Sequence, residues 1–340
     1  MSTLDDDPRE AAAATAVVDD DSDAAAYESS VRRALILAAC SDGYKRDGVE
    51  TFVRKFPLEE IRRTLGNVLI QLSRPASSEL CDTMDTVLRY ESRSLKIVDA
   101  ARLRSAIEIS NGVRLAVWRG DICTLKIDAI VNAANGRMLG CFQPSHKCID
   151  NVIHRASGPR LREACRELIR RETRSSDADE DGRRVWELAA GDARLTRAFG
   201  ALPSKFVVHT VGPIVPPEAD GPSARQASQL ASCYERTLAL VDENALRSVA
   251  FCCVSTGLFG YPQRAAAEIA MRTVKHWVRS HPTSSLRLIV FNVFLENDHK
   301  IYLNLMHPVA RTVSDDGVTL AEAFGRKRAR SEDGTESREV

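Results

Sequence analysis

The 340-residue sequence lacks any apolar run approaching the roughly 18 to 20 residues that cross a bilayer, so no membrane-spanning helix is expected. Its first ten residues, MSTLDDDPRE, lack the positive charge and apolar stretch of a secretory leader. An intracellular, cytoplasmic protein is therefore expected. Aromatics make up only 6% and are scattered among the basic residues without interleaving, which argues against a single-stranded nucleic-acid platform. The nine cysteines are odd in number and irregularly spaced in a chain too large to need staples, so reduced thiols are expected rather than a disulfide framework. With 44% hydrophobic residues the composition is that of a globular protein able to bury a sizeable core, and the length suits about two folded units.

The formal net charge of zero conceals an asymmetry. Residues 1–30 hold nine acids and one base, whereas residues 31–310 hold 40 bases and 31 acids. A basic middle would attract an anion such as a phosphorylated ligand, although it also suits a mildly basic surface with no partner. Residues 1–29 read as a disordered acidic tail and 308–340 as a second tail, in which Arg326-Lys327-Arg328-Ala329-Arg330 offers a weak nuclear address. From 30 to 110 the pattern is helical: Val31 to Leu37, Pro57 to Leu72 and Glu79 to Tyr90 repeat apolar residues at three-to-four spacing. This small all-α extension carries no cluster that looks catalytic, and it is expected to pack against the α/β part of the chain. That part runs from 111 to 307, where short β-branched runs (114–118, 129–132, 206–211, 249–254, 286–294) alternate with amphipathic stretches (150–171, 224–241, 264–278, 298–306). Such alternation implies an α/β fold with helices on both faces of a parallel or mixed sheet, where ligands bind at the carboxyl ends of strands. Residues 172–184 read as a solvated insertion.

Four segments could carry chemistry. Asp121 follows a strand and Gly120, which puts a carboxylate where an exocyclic amine could donate to it; the dipeptide alone suits an ordinary turn aspartate better. Asn132-Ala133-Ala134-Asn135 closes the next strand with two amides around two small residues, suited to holding hydroxyls or to capping a turn. Cys141, His146 and Cys148 form C-x₄-H-x-C in a loop stiffened by Pro144. Two thiols and an imidazole suit Zn²⁺, and three ligands with an open fourth position is the catalytic pattern, though three such residues also occur together with no metal. Cys165, one helix on, belongs mid-helix and away from them. Ser255 to Pro262, STGLFGYP, joins a strand to a helix. Its backbone N–H groups could make a diphosphate nest, although it lacks the Walker lysine and the G-x-G-x-x-G spacing and also suits a plain turn.

Together GDICTLKIDAIVNAAN, CIDNVIHRASGPRL, FVVHTVGP and STGLFGYP resemble the macrodomain family, over about residues 110–307. The insertion GCFQPSHKC resembles the zinc-containing subfamily, which often carries a helical N-terminal extension. It replaces the glycine run that ordinary macrodomain hydrolases place before their aspartate, so the usual account of catalysis does not transfer unaltered. The resemblance implies a three-layer α/β/α fold with a mixed central sheet that binds ADP-ribose. It implies that Asp121 bonds the adenine amine with a backbone contact from Ile122, and that Asn135 holds the distal ribose. Asp150 would position or activate water near the anomeric carbon. The loop Ser255, Thr256, Gly257, Leu258, Phe259 and Gly260 would wrap the diphosphate, with Phe259 over the distal ribose and Phe294 stacked on adenine. Cys141, His146 and Cys148 would bind Zn²⁺. The expected activity is zinc-dependent removal of mono-ADP-ribose from modified protein side chains through an oxocarbenium-like transition state. A reader that binds ADP-ribose without turning it over is the alternative. Expected partners are ADP-ribose and mono-ADP-ribosylated proteins, with no membrane or nucleic acid, and the chain is expected to be monomeric.

Overall fold

The computed structural model describes residues 20–175 and 186–307. The acidic stretch 1–19, residues 176–184 of the expected insertion, and the basic C-terminal cluster lie outside these, while residues 172–175 of that insertion are the last turn of the helix Pro159–Ser175. Helices α1 (Asp20–Ser41), α2 (Arg46–Lys55), α3 (Leu58–Gln71) and α4 (Ser78–Ser92) pack around Val31, Leu35, Ile61, Leu65, Leu80 and Met84. The start of α3 falls where Pro57 and the acids Glu59 and Glu60 place it, and Ser77 caps α4 by accepting from the Leu80 amide. Helix α1 begins about ten residues before the expected end of the tail. Tertiary contacts explain this: Tyr27 stacks on Tyr90 with centroids 4.4 Å apart and donates to Glu91 at 2.8 Å, and Asp23 pairs with Arg93. Helix α2 is unexpected. It fully buries only Val53 and contains Gly48, so its periodicity is faint in the sequence.

After α4 a two-residue strand, β1 (Val98–Asp99), pairs in parallel with β4 (Leu125–Lys126). The main sheet contains β2 (Ile107–Ser110), β3 (Val113–Arg119), β5 (Ala129–Ala133), β6 (Ala193–Arg197), β7 (Phe206–Thr210), β8 (Ser248–Phe251) and β9 (Leu288–Val293). Their order is β2-β3-β9-β8-β5-β7-β6, with every inner pair parallel and the two outer pairs antiparallel. The sheet is mixed, as expected. Its two edge strands were not legible in the sequence: β6 reads ARLTR and β2 IEIS, neither with the apolar run of a central strand. Because β2 belongs to the sheet, the α/β part begins before the expected boundary at 111. By contrast every residue of β9 is buried.

Helices α5 (Ile149–Ser157), α6 (Pro159–Ser175), α7 (Ala224–Glu243), α8 (Gln263–Ser280) and α9 (Glu296–Met306) cover the sheet. Helices α5 and α6 lie on β5 and β6, α7 on β6 and β7, and α9 on β3 and β9, with α8 between α7 and α9. The single helix expected over 150–171 is two. Gly158 takes a left-handed φ of 70° and Pro159, which has no N–H, starts α6. A Cβ at Gly158 would sit 2.7 Å from Leu88 Cδ1, so the same turn lets α4 approach. The extension docks here, α3 on α5 and α4 on α6. Among the described residues no helix is long and apolar enough to cross a membrane.

Candidate active site

The carboxyl ends of β3, β5, β8 and β9 deliver four loops to one edge of the sheet, the position where open α/β sheets bind ligands. Large apolar side chains stand exposed around it: Phe294 at 76%, Leu258 at 66% and Ile214 at 59%. Folding leaves such side chains in water at a cost that a flat, planar ligand surface would recover.

After β3, the Asn292 side chain donates to the Gly120 carbonyl at 2.9 Å and holds the turn. A Cβ at Gly120 would fall 2.3 Å from the Trp118 ring, so only glycine fits. Asp121 then caps a 3₁₀ turn, Ile122 to Thr124, with Oδ1 accepting from the Cys123 amide at 2.9 Å. Its carboxylate is exposed, with the Cys123 thiol beside it.

After β8, the chain turns through Ser255, whose φ is 67°, and Gly260, whose φ is 68°. The Phe259 carbonyl accepts from Val215 at 2.8 Å, and the Tyr261 amide donates to Ser255 at 3.0 Å, which pins the loop at both ends. Between these pins the amides of Gly257, Leu258 and Phe259 have no acceptor among the described residues, and a Cβ at Gly257 would meet open space. Successive free amides of this kind form an anion-binding nest.

After β5 the side chains point into a buried polar network. Asn132 and His209 are direct partners across β5 and β7. The fully buried Asn132 amide donates from Nδ2 to Asp150 Oδ1 at 2.8 Å and lies 3.3 Å from His209 Nδ1. Nδ1 is thus an acceptor and the ring proton sits on Nε2, 2.9 Å from Thr196 Oγ1. Asp150, in the first turn of α5, is buried. Burial pushes its carboxyl up to about 6, while the Asn132 amide and the Arg162 charge pull it down. His154, one turn on, brings Nε2 within 3.4 Å of the same oxygen, and burial holds the ring well below its ordinary value, hence neutral. Burial takes His209 down to about 4. Asn132 Oδ1 and both His154 nitrogens are buried without a hydrogen bond among the described residues, Nε2 having only its electrostatic contact with Asp150, an expense of about 1 to 3 kcal/mol each that stability alone does not justify.

The sequence between residues 131 and 270 matches the family model described as Macro domain. A protein-ADP-ribose hydrolase of Staphylococcus aureus strain MSSA476 is 41% identical over 245 residues, covering 72% of this chain and 83% of that protein. The chain belongs to the macrodomain family. A protein-ADP-ribose hydrolase of Treponema medium is likewise 41% identical to this macrodomain, over 73% of the chain and 88% of its own length. Among solved structures, a Trypanosoma brucei macrodomain in complex with ADP-ribose shares 30% identity with a TM-score of 0.50, covering 71% of this chain and 94% of that one. A variant macrodomain of Oceanobacillus iheyensis with ADPR shares 34% and also scores 0.50, over 59% of this chain and 95% of that one.

Within this macrodomain the sequence-predicted residues other than Asp150, which lies in the buried network with Asn132, fall into three groups. Asp121 and Ile122, the Ser255 to Gly260 loop and Phe294 all lie at the strand ends, with Ile122 buried and Phe294 in solvent. Asn135 is spent on its own loop: Nδ2 donates to the Gly140 carbonyl at 2.9 Å and Oδ1 accepts from the Arg137 amide at 3.0 Å. It shapes residues 135–140 in this state. Cys141 Sγ lies 3.1 Å from His146 Nδ1. Asn151 ties down the loop through the carbonyls of Gln143 at 2.7 Å and His146 at 2.9 Å. The Cys148 thiol is pushed up to about 11, chiefly by burial and partly by Cys141 beside it. The donor set is chemically right for zinc, although among the described residues no three such side chains converge as a ready metal cluster. Asn132 was expected to hold a ligand hydroxyl or cap a turn, whereas it is buried and donates to Asp150. His154, His209 and Arg162 were not singled out from the sequence; the two histidines stood inside the quoted motifs, where a polar residue in a strand or mid-helix reads as core.

Proposed function

We propose that this macrodomain hydrolyses the bond between ADP-ribose and a modified protein side chain. The observation that carries the proposal is the buried Asp150 carboxyl, held by Asn132 at the end of β5, on the same sheet edge as the open amide loop after β8. Asp121 Oδ2 accepts from the adenine amine, and the amides of Gly257 to Phe259 donate to the diphosphate. Phe294 and Leu258 cover the flat faces of the ligand, recovering their exposure. Anchored in this way, the distal ribose is presented in one pose, and pose is a large part of the barrier for a reaction through an oxocarbenium-like state. Asp150, ionised in most molecules at neutral pH, orients water and takes its proton as the water oxygen bonds the anomeric carbon and the C–O bond to the side chain breaks, the side-chain oxygen leaving with the bonding pair.

Cys141, His146 and Cys148 would hold Zn²⁺, which when bound supplies Lewis acidity at a ribose or water oxygen. Asn151 serves this by fixing the carbonyl path of the loop. The test is release of free ADP-ribose from a mono-ADP-ribosylated protein by the purified chain, with Asp150→Ala alongside. Binding of ADP-ribose with no release would assign the chain as a reader.

A further inference from the structure

The N-terminal helices reach the catalytic side of the domain through one buried guanidinium. Arg162, in the first turn of α6, lies against the C-terminus of α3: Nη1 donates to the carbonyls of Leu69 at 2.9 Å and Leu72 at 2.7 Å, and Nη2 to that of Ile70 at 3.2 Å. These carbonyls belong to the end of the helix, which has no further turn to pair them and favours a cation. The other side of the guanidinium covers the Phe142 ring, with Cζ 4.7 Å from its centroid. Phe142 stands in the 135–148 loop between Cys141 and His146, in a left-handed conformation with φ 59°. Gly140, with φ 92°, comes so near that a Cβ there would lie 3.1 Å from Nη2.

Other polar links between extension and domain stop short of this loop. Arg160 pairs with Asp82 and Asp85, Glu163 accepts from the Ala76 amide, and Arg166 donates to the Ser73 carbonyl. Those contacts fasten α6 to α4 and to the linker between α3 and α4. Arg162 alone among them also carries a loop residue on its far face. A lysine would keep the charge but could neither bond three carbonyls from one rigid fork nor stack on a ring.

We infer that Arg162 is a positioning residue that clamps the C-terminus of α3 to Phe142 and Gly140, so that the helical extension sets the conformation of the 135–148 loop. The inference rests on the reading of that loop as part of the catalytic site. It changes the role of the extension from a neighbour of the domain to a support for its chemistry. It also explains why both Gly140 and Phe142 depart from ordinary backbone conformations at this contact.

The test uses the full chain carrying Arg162→Lys, Phe142→Leu or Arg160→Gln. Amide hydrogen exchange of residues 136–148, kcat on a mono-ADP-ribosylated protein, ADP-ribose affinity and Tm are measured for each. Arg162→Lys and Phe142→Leu should speed exchange in the loop and lower kcat, each by about tenfold or more, the scale of a desolvated cation–π contact. ADP-ribose affinity should stay within about threefold. Arg160→Gln should lower Tm and leave loop exchange and kcat alone. Phe142→Leu keeps all three carbonyl bonds, so it decides the matter even where Arg162→Lys does not fold. Unchanged loop exchange in Phe142→Leu overturns the inference. Absence of hydrolysis by the unaltered chain would sink the proposed function instead, with loop exchange still deciding this one.

Discussion

Replacing Asn132 by alanine should disable the site with little effect on ligand affinity. The side chain is fully buried, donates to Asp150 Oδ1 at 2.8 Å and lies 3.3 Å from His209 Nδ1. Alanine leaves a buried carboxylate without a charge-assisted bond worth about 1.5 to 3 kcal/mol, and leaves the His209 acceptor unpaired. We expect a loss of about 3 kcal/mol in stability, which for a chain of this size lowers Tm by roughly 4 to 5 °C. The carboxyl also loses its orientation. Turnover should then fall by about 10²-fold, the scale of losing a positioned acid–base group. ADP-ribose affinity should hold within about threefold, because the adenine and diphosphate contacts assigned to Asp121 and residues 257–259 lie on other strands. Calorimetry, thermal melts and single-turnover release of ADP-ribose measure these quantities separately. A variant that melts about 5 °C lower yet turns over at the unaltered rate would refute the link from Asn132 to catalysis through Asp150.

Asp121→Ala should weaken ADP-ribose binding by about 1 to 3 kcal/mol in calorimetry, and unchanged affinity would remove Asp121 from the adenine pocket. Gly260→Ala puts a Cβ 2.7 Å from the Val215 carbonyl in a backbone with φ 68°, so it should weaken binding by about tenfold or more through the diphosphate loop, and wild-type affinity would show the loop to be dispensable. His209 titrates at about 4 when folded against about 6.5 when unfolded, so in that window the unfolded state holds the extra proton. Stability to urea should therefore fall as pH drops from about 6.5 towards 4, by on the order of 3 kcal/mol from this residue, and His209→Gln should flatten that limb. Elemental analysis should find about one zinc per chain, lost in Cys148→Ala; equal metal in the two proteins would dismiss the loop as its site.

The central architecture was legible because its signals are local. Strands β5, β7, β8 and β9 are apolar runs buried on both faces, and Gly260 of STGLFGYP sits at a turn whose φ of 68° requires it. What escaped the sequence depends on distant partners. Strand β6 exists because β7 pairs with it, and α1 extends to Asp20 because Tyr27 meets Tyr90 and Glu91 about sixty residues away. The break at Gly158-Pro159 was present in the letters, but an amphipathic pattern continuous on both sides overrode it. In the site, Asp150 could be found from its motif, whereas Asn132 and His209 become a unit only through the register of β5 against β7. Arg162 looks in sequence like any arginine on an amphipathic helix; only the fold brings α3 and Phe142 to its two faces.

The central claim is that the chain cleaves ADP-ribose from protein with Asp150 as the proton acceptor. Its most direct measurement is the rate of ADP-ribose release from a mono-ADP-ribosylated protein by the unaltered chain and by Asp150→Ala at matched folding and metal content. The account predicts release by the first and a rate lower by about 10²-fold or more in the second. Equal rates in the two proteins would contradict it.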